Sequence, residues 1–404
     1  MMKKMVKISC VAALALASLQ VVSAKPLSEA VKGVDVSGSV AYRYDESNLD
    51  KGKDAGTSAT NGYKAALNVK APINKYIKVN TRFLVGGDSL PASGLIKGSG
   101  SAVQLSTNGS GDANPTATLA QANFEVNVGM VKAIVGKQGL TTPWTVATSA
   151  YGNEQDGTGG LFFVNTKYAT VAAGYFNQTN LVAATDDKTS LPTFGINGSN
   201  DIYTAAVIVP VGGFAIDAWY LNMADAFNTY TVGINGSQKV AGIKLGLDAR
   251  YTGLTLDDKT GATGDAQDNS LAKIVVTGKS GIVGAKLAYA MTGKNGGTAA
   301  LDNDAQTDLQ GWNVHANGMT DASMYLVNVN ADLITGMNIA VNYDSLSYGT
   351  GNDKGTNSEY YAQLNYNMGK NLKTYLRYGQ ETMDPDAGTK VTKNRGRIQV
   401  AYLF

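Results

Sequence analysis

Apolar and polar residues alternate with a period of two, in segments of about ten residues, from Val34 to the carboxyl end of the chain. That is the length a tilted strand needs to cross a bilayer. Between Gly62 and Ile73, the residues Tyr63, Ala65, Leu67, Val69, Ala71 and Ile73 share one face, and Lys64, Ala66, Asn68 and Lys70 share the other. A soluble sandwich would hide that apolar face against a second sheet, whereas a membrane barrel would turn it to lipid. Alternation by itself fits both. The connections separate them. Short turns such as Asn74-Lys75, Gly129-Met130, Val240-Ala241 and Gly369-Lys370 alternate with long polar stretches at 45–61, 87–117, 139–159, 178–200, 253–269 and 293–321. This is the rhythm of barrels with tight periplasmic turns and long external loops. Strand candidates run from 34–44 and 62–73 to 371–379 and 393–404, eighteen in all. An even count places both termini in the periplasm. The expected fold class is all-β, an 18-stranded antiparallel transmembrane β-barrel.

Other ways across a membrane are closed. After residue 24 no run of eighteen consecutive apolar residues exists, so no helix is expected to span a bilayer. A sheet in hydrocarbon must close on itself to satisfy its backbone. Residues 1–24 have the layout of a cleavable secretory signal: Lys3, Lys4 and Lys7, an apolar run from Ile8 to Val22, then Ser23-Ala24. With the cut after Ala24, residues 25–33 form a short periplasmic segment and 34–404 the barrel. The one cysteine, Cys10, leaves with the signal, so no disulfide or thiol chemistry is expected. Losing three lysines takes the formal charge from +2 to −1, with no basic excess to attract nucleic acid.

On the last strand Arg395, Arg397, Gln399 and Ala401 alternate with Gly396, Ile398, Val400, Tyr402 and Phe404. An apolar face ending in a terminal aromatic residue resembles the signal read by the outer-membrane barrel-assembly machinery, carried here by Tyr402 and Phe404.

Three stretches are similar to one family. The segment from Lys25-Pro26-Leu27 through Val34-Asp35-Val36-Ser37-Gly38, followed by Tyr42-Arg43-Tyr44-Asp45, resembles the start of the Campylobacter-type major outer membrane protein family. So do Ile134-Val135-Gly136-Lys137-Gln138 with Pro143-Trp144-Thr145 and the glycines from Gly157 to Gly160, which look like that family's strand entering its constriction loop. The terminal Ala401-Tyr402-Leu403-Phe404 is of the same kind. The resemblance implies a general diffusion porin, weakly cation-preferring and homotrimeric, passing ions and small hydrophilic solutes through the outer membrane. Its surroundings would be outer-membrane lipid and lipopolysaccharide.

A barrel of this strand number is wide enough for water, so selectivity needs something folded inward. The third long loop, about 139–159, is the candidate. From Gly139 to Thr166 its only charged residues are Glu154 and Asp156, which would form a negative rim where cations concentrate. Strand parity turns Arg43, Lys64, Arg82, Arg377 and Arg397 toward the lumen, together with Lys78, Lys244, Arg250 and Lys373. A basic wall facing an acidic loop would set up a transverse field.

No cofactor is expected. The paired acids Asp186-Asp187 and Asp257-Asp258 and the segment Asp302-Asn303-Asp304 offer oxygen ligands for Ca²⁺ or for divalent bridges to lipopolysaccharide, but lack a helix-flanked calcium-loop pattern and read more simply as solvated loop charge. Catalysis has little to stand on: the single histidine, His315, falls in an expected external loop, and no Gly-x-Ser-x-Gly elbow presents a serine. Two other functions fit the same scaffold, a substrate-selective channel, which would show an ordered basic ladder, and a surface adhesin acting through its loops.

Overall fold

The computed structural model describes residues 33–50, 56–85, 103–105, 117–184, 196, 198–350 and 354–404. The signal segment 1–24 and the pair Asp186-Asp187 lie outside them. The strands are β1 (Asp35–Leu49), β2 (Gly56–Pro72), β3 (Ile77–Val85), β4 (Val103–Leu105), β5 (Ala117–Val128), β6 (Val131–Gly139), β7 (Asp156–Asn165), β8 (Thr170–Thr179), β9 (Ile202–Val211) and β10 (Phe214–Met223). They continue with β11 (Phe227–Val240), β12 (Ile243–Leu256), β13 (Asp268–Ser280), β14 (Val283–Thr292), β15 (Ser323–Ile334), β16 (Met337–Tyr348), β17 (Gly355–Met368), β18 (Leu372–Pro385) and β19 (Val391–Leu403). Among the described residues no helix is long and apolar enough to cross a membrane.

All pairings are antiparallel, and β19 returns to β1 with Val40 opposite Tyr402 and Arg43 opposite Gln399, so the sheet is a closed barrel. The three residues of β4 pair with Asn61, Gly62 and Tyr63 of β2 just beyond the point where Val85 of β3 pairs with Ala65. β4 thus extends the line of β3, and the barrel wall has eighteen lines. Several strands outrun their sequence expectation. β1 and β2 pair from Asp35↔Lys70 to Leu49↔Gly56, turning most of the expected loop 45–61 into hairpin.

The burial pattern is inverted relative to a soluble protein. Leu67, Phe83, Phe124, Tyr230 and Leu376 are exposed, while Lys64, Arg82, Asp217 and Arg250 are buried. An apolar band outside and polar groups inside is what lipid and a wet lumen select. The tight hairpins carry the residues their geometry demands. Ala241 and Gly242 both have positive φ, 49° and 85°, as a two-residue turn matching the strand twist requires. At the β2–β3 turn Asn74 Oδ1 accepts from the backbone N–H of Tyr76 and Ile77, at 2.8 and 2.9 Å.

Two long connections at the other rim fold into the barrel. Residues 140–155, between β6 and β7, bury Leu140 and Trp144 against Phe176, Leu221 and Phe227 of the inner wall. Residues 293–322, between β14 and β15, bury Ala299, Leu309, Val314 and Ala316 against Leu271, Ala290, Met324 and Leu346. Each fully buried leucine or phenylalanine contributes about 1.5–3 kcal/mol. The loops also meet: Leu301 N donates to the Trp144 carbonyl at 2.8 Å, and Gln155 Nε2 to the Leu301 carbonyl at 2.6 Å. The segment carrying His315, expected outside, is therefore an internal structure, because its small and apolar side chains have an apolar inner wall to cover.

Candidate functional site

The first infolded loop is pinned by charge. Lys64 on β2 and Arg82 on β3 point inward by strand parity, and both reach Glu154 at the end of the loop. Lys64 Nζ lies 2.7 Å from Glu154 Oε1 and also donates to the carbonyls of Ser149 and Gly152, each at 2.9 Å. Arg82 grips the carboxylate with two bonds, Nε to Oε2 at 2.7 Å and Nη2 to Oε1 at 2.6 Å. Burial alone would raise the Glu154 pKa, but the Arg82 hydrogen bonds and the Lys64 charge outweigh it and hold the group below the usual carboxylate range. Glu154 and Asp156 are both 0% exposed. The sequence suggested an open acidic rim; the carboxylates are instead enclosed, because two wall cations have drawn Glu154 to the strands.

Arg43, Arg397 and Arg377 occupy three adjacent strands, β1, β19 and β18, and are only partly buried. Arg377 and Arg397 are direct register partners. Like charges opposite each other are destabilising, so the wall must compensate. Arg377 Nε donates to Gln363 Oε1 at 2.6 Å, Arg43 Nε to Gln399 Oε1 at 2.7 Å, and Arg397 Nε to Asp45 Oδ1. Each infolded loop adds an aromatic face: the Tyr151 ring lies 3.8 Å from Arg43 Cζ, and Trp312 lies 5.0 Å from Arg377 Cζ and 5.6 Å from Arg397 Cζ. Such contacts stabilise a cation by about 0.5–2 kcal/mol.

Trp312 sits in a tight turn, closed by Gly311 N donating to the Val314 carbonyl at 2.8 Å and flanked by the bridge Gln310↔His315. The backbone N–H groups of Trp312 and Asn313, with a longer contact from Val314 at 3.4 Å, converge on the carboxylate of Glu359 on β17. Asn313 Nδ2 adds a bond at 3.1 Å.

The structure thus joins Arg43, Arg377 and Arg397 in one strip and Lys64, Arg82 and Glu154 in a separate buried triad. Arg250 is also sequestered, in a two-bond pair with Asp217 at 2.8 Å. Tyr402 and Phe404 lie at the seam, where Phe404 N and O exchange bonds with Gly38. Of the loop acids, Asp302 is buried within the second infolded loop, its Oδ1 accepting from Asp304 N at 2.8 Å, and Asp257 caps the turn at Lys259. Among the described residues no three His, Cys, Asp or Glu side chains gather as metal ligands. Sequence reading missed the second loop with Trp312, and it missed Glu359. The signal was present in the inward positions of β13 to β15, where Leu271, Ala288, Ala290, Met324 and Leu326 are apolar at sites a wetted lumen would make polar.

Comparison with solved structures gives the same architecture. The chain superposes on Pseudomonas aeruginosa OccK2 (OpdF), solved in complex with glucuronate, with a TM-score of 0.68 at 13% identity, covering 92% of this chain and 98% of that one. The outer membrane protein OpdK from Pseudomonas aeruginosa gives 0.70 at 14% identity, with 92% and 98% covered. Acinetobacter baumannii OccAB3 gives 0.68 at 14% identity, with 92% and 99% covered. No curated protein matches the chain by sequence. The family model of the Campylobacter major outer membrane protein matches residues 2–404. This chain belongs to the Campylobacter major outer membrane protein family, and is an outer-membrane porin.

Proposed function

We propose that the chain is a diffusion channel for ions and small hydrophilic solutes, narrowed by both infolded loops, whose arginine strip favours solutes carrying a carboxylate. The observation that carries this reading is the register pairing of Arg377 with Arg397 at a partly open inner surface. The two opposed guanidinium groups share a single wall carboxylate, Asp45 on Arg397, and each engages the wall through Nε, so the pair carries positive charge in excess. Their terminal nitrogens are the groups a solute carboxylate would meet, in a planar fork suited to it. A sugar acid of the glucuronate type is the natural probe.

Overall ion preference is weak on this reading, because much of the inner charge is paired: Glu154 with Lys64 and Arg82, Asp217 with Arg250, Glu381 with Arg395, and Asp45 with Arg397. The enclosed Glu154 and Asp156 are not the source of a cation preference. A non-catalytic role, export through cleavage of 1–24, termini in the periplasm, assembly through Tyr402 and Phe404, and a homotrimer complete the proposal. They are supported by the family, by the signal-like first residues and by the exposed apolar band.

The test is uptake of glucuronate and glucose into liposomes, with reversal potentials in planar bilayers under a salt gradient, for wild type and Arg377→Gln/Arg397→Gln. Wild type should pass glucuronate faster than glucose, and the double variant should lose that advantage while keeping open channels. Equal uptake of both sugars by wild type would leave a porin without the strip's selectivity.

A further inference from the structure

We infer that Glu359 is a positioning residue: its buried carboxylate latches the turn Gly311–Val314 to the wall and thereby holds Trp312 over the arginine pair. The inference rests on the strip being the eyelet, and it assigns the eyelet's shape to a group outside the strip.

Glu359 is 2% exposed and belongs to β17, one strand away from Arg377. A wall carboxylate facing the lumen would ordinarily be hydrated or paired with a cation. This one is capped by the second loop instead. Successive N–H groups of a turn make a concave anion site, and here the site closes on a side chain of the same protein. The turn is bonded by Trp312 N, Asn313 N at 3.0 and 3.1 Å, and Asn313 Nδ2 at 3.1 Å. Charge-assisted bonds of this kind are roughly twice as strong as neutral ones. Trp312 follows directly: its ring packs edge-on to Tyr361, two residues along β17, with centroids 5.5 Å apart, and lies over Arg377 and Arg397.

Gly311 makes the fit specific. A Cβ there would overlap the carboxylates of both Glu359 and its register partner Asp344, which is 0% exposed. The turn can seat on Glu359 only because that position has no side chain. An ordinary packing contact would not need a glycine at this point and a carboxylate opposite it.

Two variants attack the latch from opposite sides. Glu359→Ala removes the acceptor from the wall. Gly311→Ala leaves the wall untouched and displaces the turn. Each is refolded into bilayers and compared with wild type and with Trp312→Ala, which empties the eyelet of its ring without unseating the turn. If the latch holds, both variants show raised single-channel conductance, flickering absent from wild type and from Trp312→Ala, and a severalfold loss of any preference for glucuronate over glucose. Folded Gly311→Ala channels with wild-type conductance and quiet open states would overturn the inference, even if Glu359→Ala fails to fold. Should wild type show no preference between the two sugars, the selectivity reading fails while conductance and flicker still decide the latch.

Discussion

Lys64 Nζ and Glu154 Oε1 lie 2.7 Å apart, with side-chain exposures of 1% and 0%. A wall strand and an infolded loop are thereby joined through a charge that neither could bury alone. Removing one member of such a group strands its partners, at about 3–5 kcal/mol. Glu154→Ala should therefore release residues 140–155, seen as new protease cleavage within the loop and noisier open channels while the barrel stays folded. A triple replacement of Lys64, Arg82 and Glu154 by apolar residues of similar volume should restore much of the loss. Glu154 titrates lower than usual, so its anchoring is complete above an ordinary Glu value of about 4.3 and is lost as pH falls through the lower folded value. A loop as well anchored in strong acid as at neutral pH would contradict this assignment.

The second loop should respond to pH with the opposite sign. Asp308 is buried within it; Oδ1 accepts from Leu309 N at 2.7 Å and Asn317 N at 2.8 Å. Burial pushes its carboxyl up to about 8 against those bonds. Between an unfolded value of about 3.9 and that raised value, the docked loop retains a proton that the undocked loop has released. Docking is then strongest below the lower value and weakens as pH rises toward 8, by up to ~1.4 kcal/mol per pH unit. Proteolytic release of 293–322 measured across that range should rise with pH in wild type and stay flat in Asp308→Asn. An unchanged slope in the variant would assign the effect elsewhere.

The barrel was legible because its determinants are local. Alternation over ten residues and turn residues such as Asn74 and Gly129 act within one hairpin, and the eighteen strand positions follow from them. The charge partners were not legible for the same reason. Lys64 and Glu154 are 90 residues apart, and only closure of the barrel with infolding of the loop brings them together. Parity turned Arg43, Arg377 and Arg397 inward, but it equally turned Lys64, Arg82 and Arg250 inward. It cannot distinguish a cation left facing the lumen from one consumed by an ion pair.

Arg250 shows how such a pair is built across a strand. It lies on β12 and Asp217 on β10, with β11 between them, and the residue of β11 in register with both is Gly233. A Cβ at Gly233 would lie 2.5 Å from Arg250 Cζ. Gly233→Val should force the guanidinium off Asp217, leaving two buried charges unpaired and lowering denaturant stability by several kcal/mol, on the order of a broken buried pair. Gly233→Ala should lie between valine and wild type. Equal stability of all three would show that the arginine can leave its partner at little cost.

The seam offers a way to separate a terminal sequence signal from the structure that signal completes. Gly38 N donates to the Phe404 carbonyl at 2.8 Å and Phe404 N returns a bond to Gly38 at 3.1 Å, closing β1 on β19. The Phe404 ring stacks on Tyr402 with centroids 6.0 Å apart and lies against Gly38, where a Cβ would be 2.6 Å from Phe404 Cζ. A Cβ there would lie nearer still to the Ala66 carbonyl of β2, at 2.3 Å, so Gly38→Ala strains the β1–β2 pairing as well as the ring's seat, with an overpacking cost of about 1–3 kcal/mol. If the terminal aromatic acts only as a linear signal, Phe404→Ala should be impaired in entering the outer membrane but fold from urea into detergent micelles as wild type does. If the ring must also lock the seam, Phe404→Ala should fold slowly even in those micelles, where no assembly machinery is present to read a signal.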